Sequence, residues 1–257
     1  MNYQVIKTAD DLRKAVEILT TQPVIGLDTE TTELDPFTSR LRLIQLATHD
    51  RVFIFDFDHL TNGDSAKSDT LAPLRRILEA PRPIKIAHNA KFDAKFIKHN
   101  LGVDLGGLFD TLLASQLVGA GDIEERHGLE TVASRYLNQS IDKSERLSNW
   151  NFELSEAQLE YAARDAAILL PLREKLIERL KSGSLVKCAQ LEFECVMPVV
   201  DIELAGFYMH KDRWLEQLGI VEKRRIELAE QLQEVLAEES SQGSLFGGLQ
   251  REDINLE

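Results

Sequence analysis

The 257-residue sequence is poor in the residues that staple or anchor a chain. Its two cysteines, Cys188 and Cys195, fall seven apart in an apparent helix. They form neither a CxxC pair nor a zinc spacing, which excludes a disulfide framework and points to reduced core thiols in a cytoplasmic protein. No run approaches 18 consecutive apolar residues, so a membrane span is excluded. The first residues, MNYQVIKTADDLRKAVEIL, carry an acidic helical pattern without the apolar centre of a signal peptide. Basic residues are also in short supply, with 30 Lys+Arg against 43 Asp+Glu and a net charge of −13. That excludes coating a nucleic acid by bulk attraction. It leaves room for an enzyme that grips a nucleic acid end locally, with metal ions offsetting an acidic site. What is present is ordinary for a globular protein: 43% hydrophobic and 28% charged residues, and enough length for one or two domains with a real core. There is no internal repeat.

The first part of the chain alternates strand and helix signals. Thr8-Ala9-Asp10-Asp11-Leu12 opens a short helix, with Thr8 or Asp10 as its N-cap. Strands are predicted over 23–31 (PVIGLDTET), 41–47 (LRLIQLA) and 52–57 (VFIFDF). The link His49-Asp50-Arg51 is short enough to make the last two antiparallel neighbours. A polar loop covers 61–68. Helices over 71–80, 90–100, 111–118 and 129–137 alternate with short strands at 84–87 and 108–110. A long helix over 155–180 is disturbed at Pro171, which costs it one backbone bond. Lys181-Ser182-Gly183-Ser184 marks a break in composition. Helices over 185–205 and 211–239 follow, then a Ser/Gly loop over 240–248. The expected division is a domain over 1–180 and an all-helical extension over 181–257. The extension holds 8 basic and 15 acidic residues, so neither part is basic.

Three segments carry the chemistry. In Leu27-Asp28-Thr29-Glu30 the two-residue repeat of a strand turns Asp28 and Glu30 to the same side. Two adjacent carboxylates repel and are costly to desolvate, and a divalent cation would offset them; a frayed strand end in solvent is the plain alternative. In His88-Asn89-Ala90-Lys91-Phe92-Asp93, helical spacing sets Phe92, Phe96 and Ile97 on the core side, with Asp93 among them on the first turn. An acid there is favoured by the helix dipole and lies near the carboxyl end of the preceding strand, where open α/β sheets place ligands. Lys91, Lys95 and Lys98 share another face, either solvated or within reach of a phosphate. In Tyr161-Ala162-Ala163-Arg164-Asp165, phenol and carboxylate sit one turn apart on an inward face.

Taken together, Asp28, Glu30, Asp93 and Asp165 are four hard oxygen donors without histidine or cysteine company, which selects Mg²⁺ or Mn²⁺. Two such ions roughly 3.5–4 Å apart clamp the attacking and leaving oxygens of a phosphodiester. The Tyr161 hydroxyl can orient the attacking water.

LDTET, HNAKFD and YAARD resemble the three motifs of the DEDD exonuclease superfamily in its tyrosine-bearing branch, which includes the proofreading domain of family A DNA polymerases and RNase D. The resemblance spans about residues 3–180. It implies a ribonuclease H-like α/β fold, a five-stranded mixed sheet flanked by helices, and 3′→5′ hydrolysis releasing nucleoside monophosphates. It implies that Asp28, Glu30 and Asp165 hold the nucleophile-side metal, that Asp28 bridges to the second, and that Asp93 acts on that second metal through water. Tyr161, in place of the histidine of a sister branch, contacts the attacking water. Thr29, Leu34, His88 and Asn89 are expected at the substrate, Leu34 as an apolar wedge against the terminal bases. Asp142 to Trp150 resembles a segment of RNase D, with Asn149 in place of the usual Asp. There Lys143 and Arg146 are expected to meet phosphates, and Trp150 to pack in the core or stack.

Leu191 to His210 resembles the segment of family A polymerases that links exonuclease to thumb, and Asp253-Ile254-Asn255-Leu256 the next thumb motif. DNA is therefore the expected substrate, as single strands, with a DNA polymerase as a further candidate partner. The rival readings are an RNase D-like exoribonuclease and a retired module that only holds single strands or docks a polymerase.

Overall fold

The computed structural model describes residues 2–61, 69–120, 126–141 and 148–241. Lys143 and Arg146, and the thumb-like motif at 253–256, lie outside them. The first strand, β1 (Tyr3–Ile6), falls where the sequence pattern reads as helix. Its side chains have too few residues to display a period of two, and its partner is remote. Thr8 then caps α1 (Ala9–Thr20), accepting from Asp11 N as expected. The strands β2 (Val24–Thr31), β3 (Leu41–Ala47) and β4 (Val52–Asp56) follow within a residue of their predicted limits. The chain turns at once into a short α2 (Phe57–Thr61).

Further on come α3 (Ala72–Glu79), β5 (Ile84–Ala87), α4 (Ala90–Leu101), β6 (Leu108–Asp110), α5 (Thr111–Val118) and α6 (Leu129–Leu137). The long α7 (Glu156–Ser182) runs unbroken through Pro171. It is followed by α8 (Val186–Ala205) and α9 (Lys211–Ser241). None of the described helices is long and apolar enough to cross a membrane.

The sheet has six strands in the order β1-β4-β3-β2-β5-β6. The five expected from sequence are joined by β1, which pairs parallel with β4. β3 is antiparallel to both β2 and β4, while β5 lies parallel to β2 and β6 parallel to β5. This is the mixed sheet of a ribonuclease H-like fold. One face, with Ile25, Leu27, Ile44 and Phe55, packs against α1, α3 and α4. The other, with Leu43, Ala47, Ile54 and Ile86, packs against α7 and its neighbours. The alternation of β2 therefore sends Leu27 to one layer and Asp28 and Glu30 toward α7.

Gly26 sets how closely α7 approaches. A Cβ built there would stand 2.2 Å from the Ala166 carbonyl oxygen, a backbone atom that cannot step aside. Gly26→Ala is expected to destabilise the domain by about 1–3 kcal/mol through overpacking. Urea unfolding would show this as a lower midpoint with unchanged slope.

The chain divides into two compact units, Met1–Ala205 and Gly206–Glu257. The division falls after α8, past the composition break at 181–184, because α8 buries Ala189, Val196 and Val200 against the first unit. It is also tied by charge: Lys91 and Lys95 reach Glu203 at 2.5 and 2.8 Å, and Lys98 pairs with Asp201. The lysine face of α4 thus holds α8 rather than standing free. Cys188 and Cys195 are free thiols on the exposed side of α8, not core residues as their spacing implied. In the second unit, α9 leaves Trp214, Leu218 and Val221 exposed.

Candidate active site

Asp28, Glu30, Asp93, Tyr161 and Asp165 line one cleft of about 680 Å³. Asp28 and Glu30 come from the carboxyl end of β2, Tyr161 and Asp165 from consecutive turns of α7, and Asp93 from the first turn of α4. Asp93 and Asp165 are buried, at 3% and 8% exposure. Burial pushes the carboxyls of Asp28 and Glu30 well above the usual carboxylate range. Asp93, Glu30 and Asp165 add to the shift at Asp28, and Asp165 and Asp93 to that at Glu30. Asp93 is raised to about 7, chiefly by burial, against the stabilising bond from Thr29. Burial also pushes the Tyr161 phenol far up, with Asp165 adding to the effect, so it stays protonated at any working pH.

These carboxylates carry a shared electrostatic penalty, and all their donors are hard oxygens. That fits a divalent cation, which would offset the repulsion. The oxygens are not drawn into a finished cage: among the described residues no three His, Cys, Asp or Glu side chains stand together as a ready ligand set. The acids line the wall of one cleft.

The predicted substrate residues divide by position. Leu34 stands 81% exposed at the rim of the cleft. His88 and Asn89 line it. Asn89 adopts a left-handed conformation (φ 64°, ψ 50°) that turns the chain into α4. His88 Nδ1 lies 2.9 Å from the Thr111 hydroxyl, which donates to the Ala87 carbonyl at 3.0 Å. Burial pushes the His88 imidazole down to about 4, so it is neutral at pH 7. Thr29 turns its hydroxyl to Asp93 Oδ1 at 2.7 Å, which makes it a brace for that acid. Trp150 is buried, its ring 6.5 Å from that of Tyr161 on the cleft wall. A larger hollow of about 1000 Å³, between β6 and α8, is lined by Phe109, Leu180, Phe193 and Met197 and holds none of the predicted residues.

Two residues that build this site escape a reading of the sequence. The Asp110 carboxylate accepts from Asn89 N and Ala90 N (3.1 and 2.8 Å) and from Leu112 N and Leu113 N (2.8 and 3.4 Å). One side chain therefore caps both α4 and α5. Its place as N-cap of α5 is visible in Asp-Thr-Leu-Leu, but its reach to residue 89 is not. Asp110→Ala leaves four backbone donors without their acceptor. It is expected to cost about 2–4 kcal/mol, two lost caps of typical size with desolvated N–H groups. Thermal melts would show it, and Asp110→Asn would recover part of the loss. Gln158 forms a capping box with Ser155 at the start of α7 and donates to Ser148 Oγ (2.9 Å) and Asn149 O (3.2 Å). It anchors the segment that presents Trp150.

Comparison with known proteins places this chain in a class. A 3′-5′ exonuclease family model matches residues 3–181. The chain belongs to the 3′-5′ exonuclease family, and carries its hydrolase domain. It is 30% identical over 242 residues to DNA polymerase I of Aquifex aeolicus, covering 87% of this chain and 39% of that protein. It is 33% identical over 185 residues to ribonuclease D of Escherichia coli, covering 71% of this chain and 46% of that one. The chain thus spans less than half the length of these curated relatives.

The solved ribonuclease D, described as an exoribonuclease involved in structured RNA processing, superposes with a TM-score of 0.68 at 29% identity, over 78% of this chain and 51% of its own. NrnC of Brucella melitensis superposes with a TM-score of 0.68 at 28% identity, over 82% of this chain and all of its own. NrnC has also been solved with bound Mg²⁺ and bound to pGG.

Proposed function

We propose that the chain is a divalent-cation-dependent exonuclease that hydrolyses single-stranded DNA from its 3′ end and releases nucleoside monophosphates. The observation that carries this reading is the convergence of Asp28, Glu30, Asp93, Asp165 and Tyr161, from three separate elements, on one cleft. Asp28, Glu30 and Asp165 would hold one Mg²⁺ or Mn²⁺, and Asp28, with Asp93 acting through water, a second. Bound there, the cations would lower the pKa of water toward neutrality and offset negative charge developing on the phosphodiester. The chain's own groups do the rest. Tyr161, held protonated, can hydrogen-bond the attacking water without taking its proton. Trp150 packs in the same core cluster beside the Tyr161 ring. Leu34 offers an apolar edge to the terminal base, while Asn89 and neutral His88 offer polar contacts to the terminal nucleotide. Lys143 and Arg146 serve phosphates farther along the strand. The catalytic groups would all lie within residues 1–180, and the chain beyond them would serve as an extension like the start of a polymerase thumb, its first helix, α8, packed on the catalytic unit.

DNA is favoured because the likeness to DNA polymerase I runs over 87% of the chain, well past the catalytic domain. RNA is the second reading, supported by the likeness to ribonuclease D and by the pGG bound to NrnC. Matched DNA and RNA oligonucleotides labelled at the 5′ end decide between them. Stepwise shortening of DNA with Mg²⁺ or Mn²⁺ is expected, and preferential shortening of RNA would reverse the assignment. Absence of any cation-dependent mononucleotide release from either would leave a binding module. Tyr161→Phe is expected to lower kcat by about 10²-fold, at the low end for a group that manages a proton in the transition state. KM should stay within a factor of about three.

A further inference from the structure

Gln45 is fully buried in the middle of β3, and among the described residues neither its amide nitrogen nor its amide oxygen has a hydrogen-bond partner. Buried polar groups are almost always satisfied, so an amide with both ends orphaned calls for an explanation. Its position supplies one. In the antiparallel register of β2 and β3, Gln45 stands directly opposite Asp28. Residues opposite each other in a ladder share a face, with Cβ atoms about 4.5–5.5 Å apart. The face is the one turned to α7: Leu43 and Ala47, two residues to either side, belong to the same core cluster as Ala162, Ala163 and Ala166 of that helix. Across the other edge Gln45 faces Ile54 of β4. Within the sheet its neighbours on that face are therefore three apolar side chains and the Asp28 carboxylate. An apolar residue would fill the place without penalty, as at 43 and 47. A lysine or arginine would satisfy Asp28 but compete with a cation for it. An amide is the donor that adds no charge.

We propose that Gln45 is a positioning residue for Asp28: its Nε2 donates to the Asp28 carboxylate once the cleft holds a cation, fixing which oxygen faces the metal. The inference rests on the cation-dependent reading given above. Carboxylate ligands of metals are commonly held by such hydrogen bonds, and loss of one typically costs 10–100-fold in affinity or activity.

The test is Mn²⁺ binding to the full chain, read from the paramagnetic resonance signal of free Mn²⁺, for wild type and Gln45→Met. The expected result is about 10–100-fold weaker Mn²⁺ binding in the variant. Its cation-free melting temperature should be unchanged or higher, since an orphaned amide has gone, and KM for the oligonucleotide should stay constant while the Mn²⁺ requirement rises. Equal Mn²⁺ affinity in the two proteins overturns the proposal and leaves Gln45 a packing residue or the host of a buried water. A wild type that binds no Mn²⁺ overturns the functional reading itself. The unmodified protein gives an independent readout: addition of Mg²⁺ should shift the Gln45 side-chain amide resonances and slow their exchange. Resonances that stay in place while Mg²⁺ binds contradict the proposal even if Gln45→Met does not fold.

Discussion

Asp28→Asn is expected to abolish cleavage while making the cation-free protein more stable. The two effects share one cause. Burial holds the Asp28 carboxyl well above the usual range, and Asp93, Glu30 and Asp165 raise it further, so the folded chain carries a cluster of acids that disfavour one another. An amide of the same shape removes the group on which Asp93, Glu30 and Asp165 all act. The melting temperature without cations should rise by a few degrees, given about 2–4 °C per kcal/mol for a chain of this size. Cleavage should fall at least about 10³-fold, because the charge stabilisation a bound cation gives the transition state is worth several kcal/mol. Melting curves in EDTA and mononucleotide release in Mg²⁺ measure the pair. A variant that melts lower and still cleaves at more than a tenth of the wild-type rate would mean that the acids do not act as a unit.

The second large effect is in pH. Asp93 titrates near 7 in the folded chain, and Asp28 and Glu30 are raised well above their ordinary values. An unfolded aspartate titrates near 3.9. The folded state therefore keeps protons that the unfolded state has released, and stability falls as pH rises through the folded values. His88 acts in the opposite sense. Its folded value near 4 lies below the ordinary 6.5, so its contribution is present above 6.5 and lost as pH falls toward 4. The carboxylate effect thus becomes clearest as pH rises above about 6.5, where the unfolded His88 loses its charge and matches the neutral folded form. The buried Lys85, lowered to about 8, enters above that value with a contribution that grows toward its unfolded 10.5.

In EDTA, the melting temperature is expected to fall between about pH 6.5 and 8. Saturating Mg²⁺ at pH 8 should raise it by about 5–10 °C, the gain for ligand at a hundred times its dissociation constant in a chain of this size. The gain should shrink at pH 6, where protons compete for the same oxygens. A melting temperature that is flat across this window with and without Mg²⁺ would contradict the electrostatic account of the cleft.

Much of this site can be read before folding because its signals are local. Asp28 and Glu30 declare a common side through the strand period, Tyr161 and Asp165 through one helical turn, and Asp93 through the first turn of α4. The cleft does bring these five together. What is hidden depends on residues far apart in sequence. β1 reads as helix because its parallel partner lies in β4, about fifty residues away. Lys91, Lys95 and Lys98 read as a solvated or phosphate-facing stripe because Asp201 and Glu203 lie more than a hundred residues on. Cys188 and Cys195 read as core because a helix pattern does not say which of its faces is covered. Gln45 sits in plain view beside Arg42 as one of the two polar residues of LRLIQLA, and only the register with β2 sets it opposite Asp28.

The most direct measurement of the central claim is a crystal structure of the chain soaked with Mn²⁺ and a nucleoside 5′-monophosphate, with anomalous scattering used to locate the metal. Manganese should appear in the cleft, ligated by Asp28 together with Glu30 and Asp165, with the phosphate beside it and Tyr161 facing the water position. A cleft without anomalous density at saturating Mn²⁺, or manganese bound away from Asp28, would contradict the claim that these four acids form a cation-dependent hydrolytic centre.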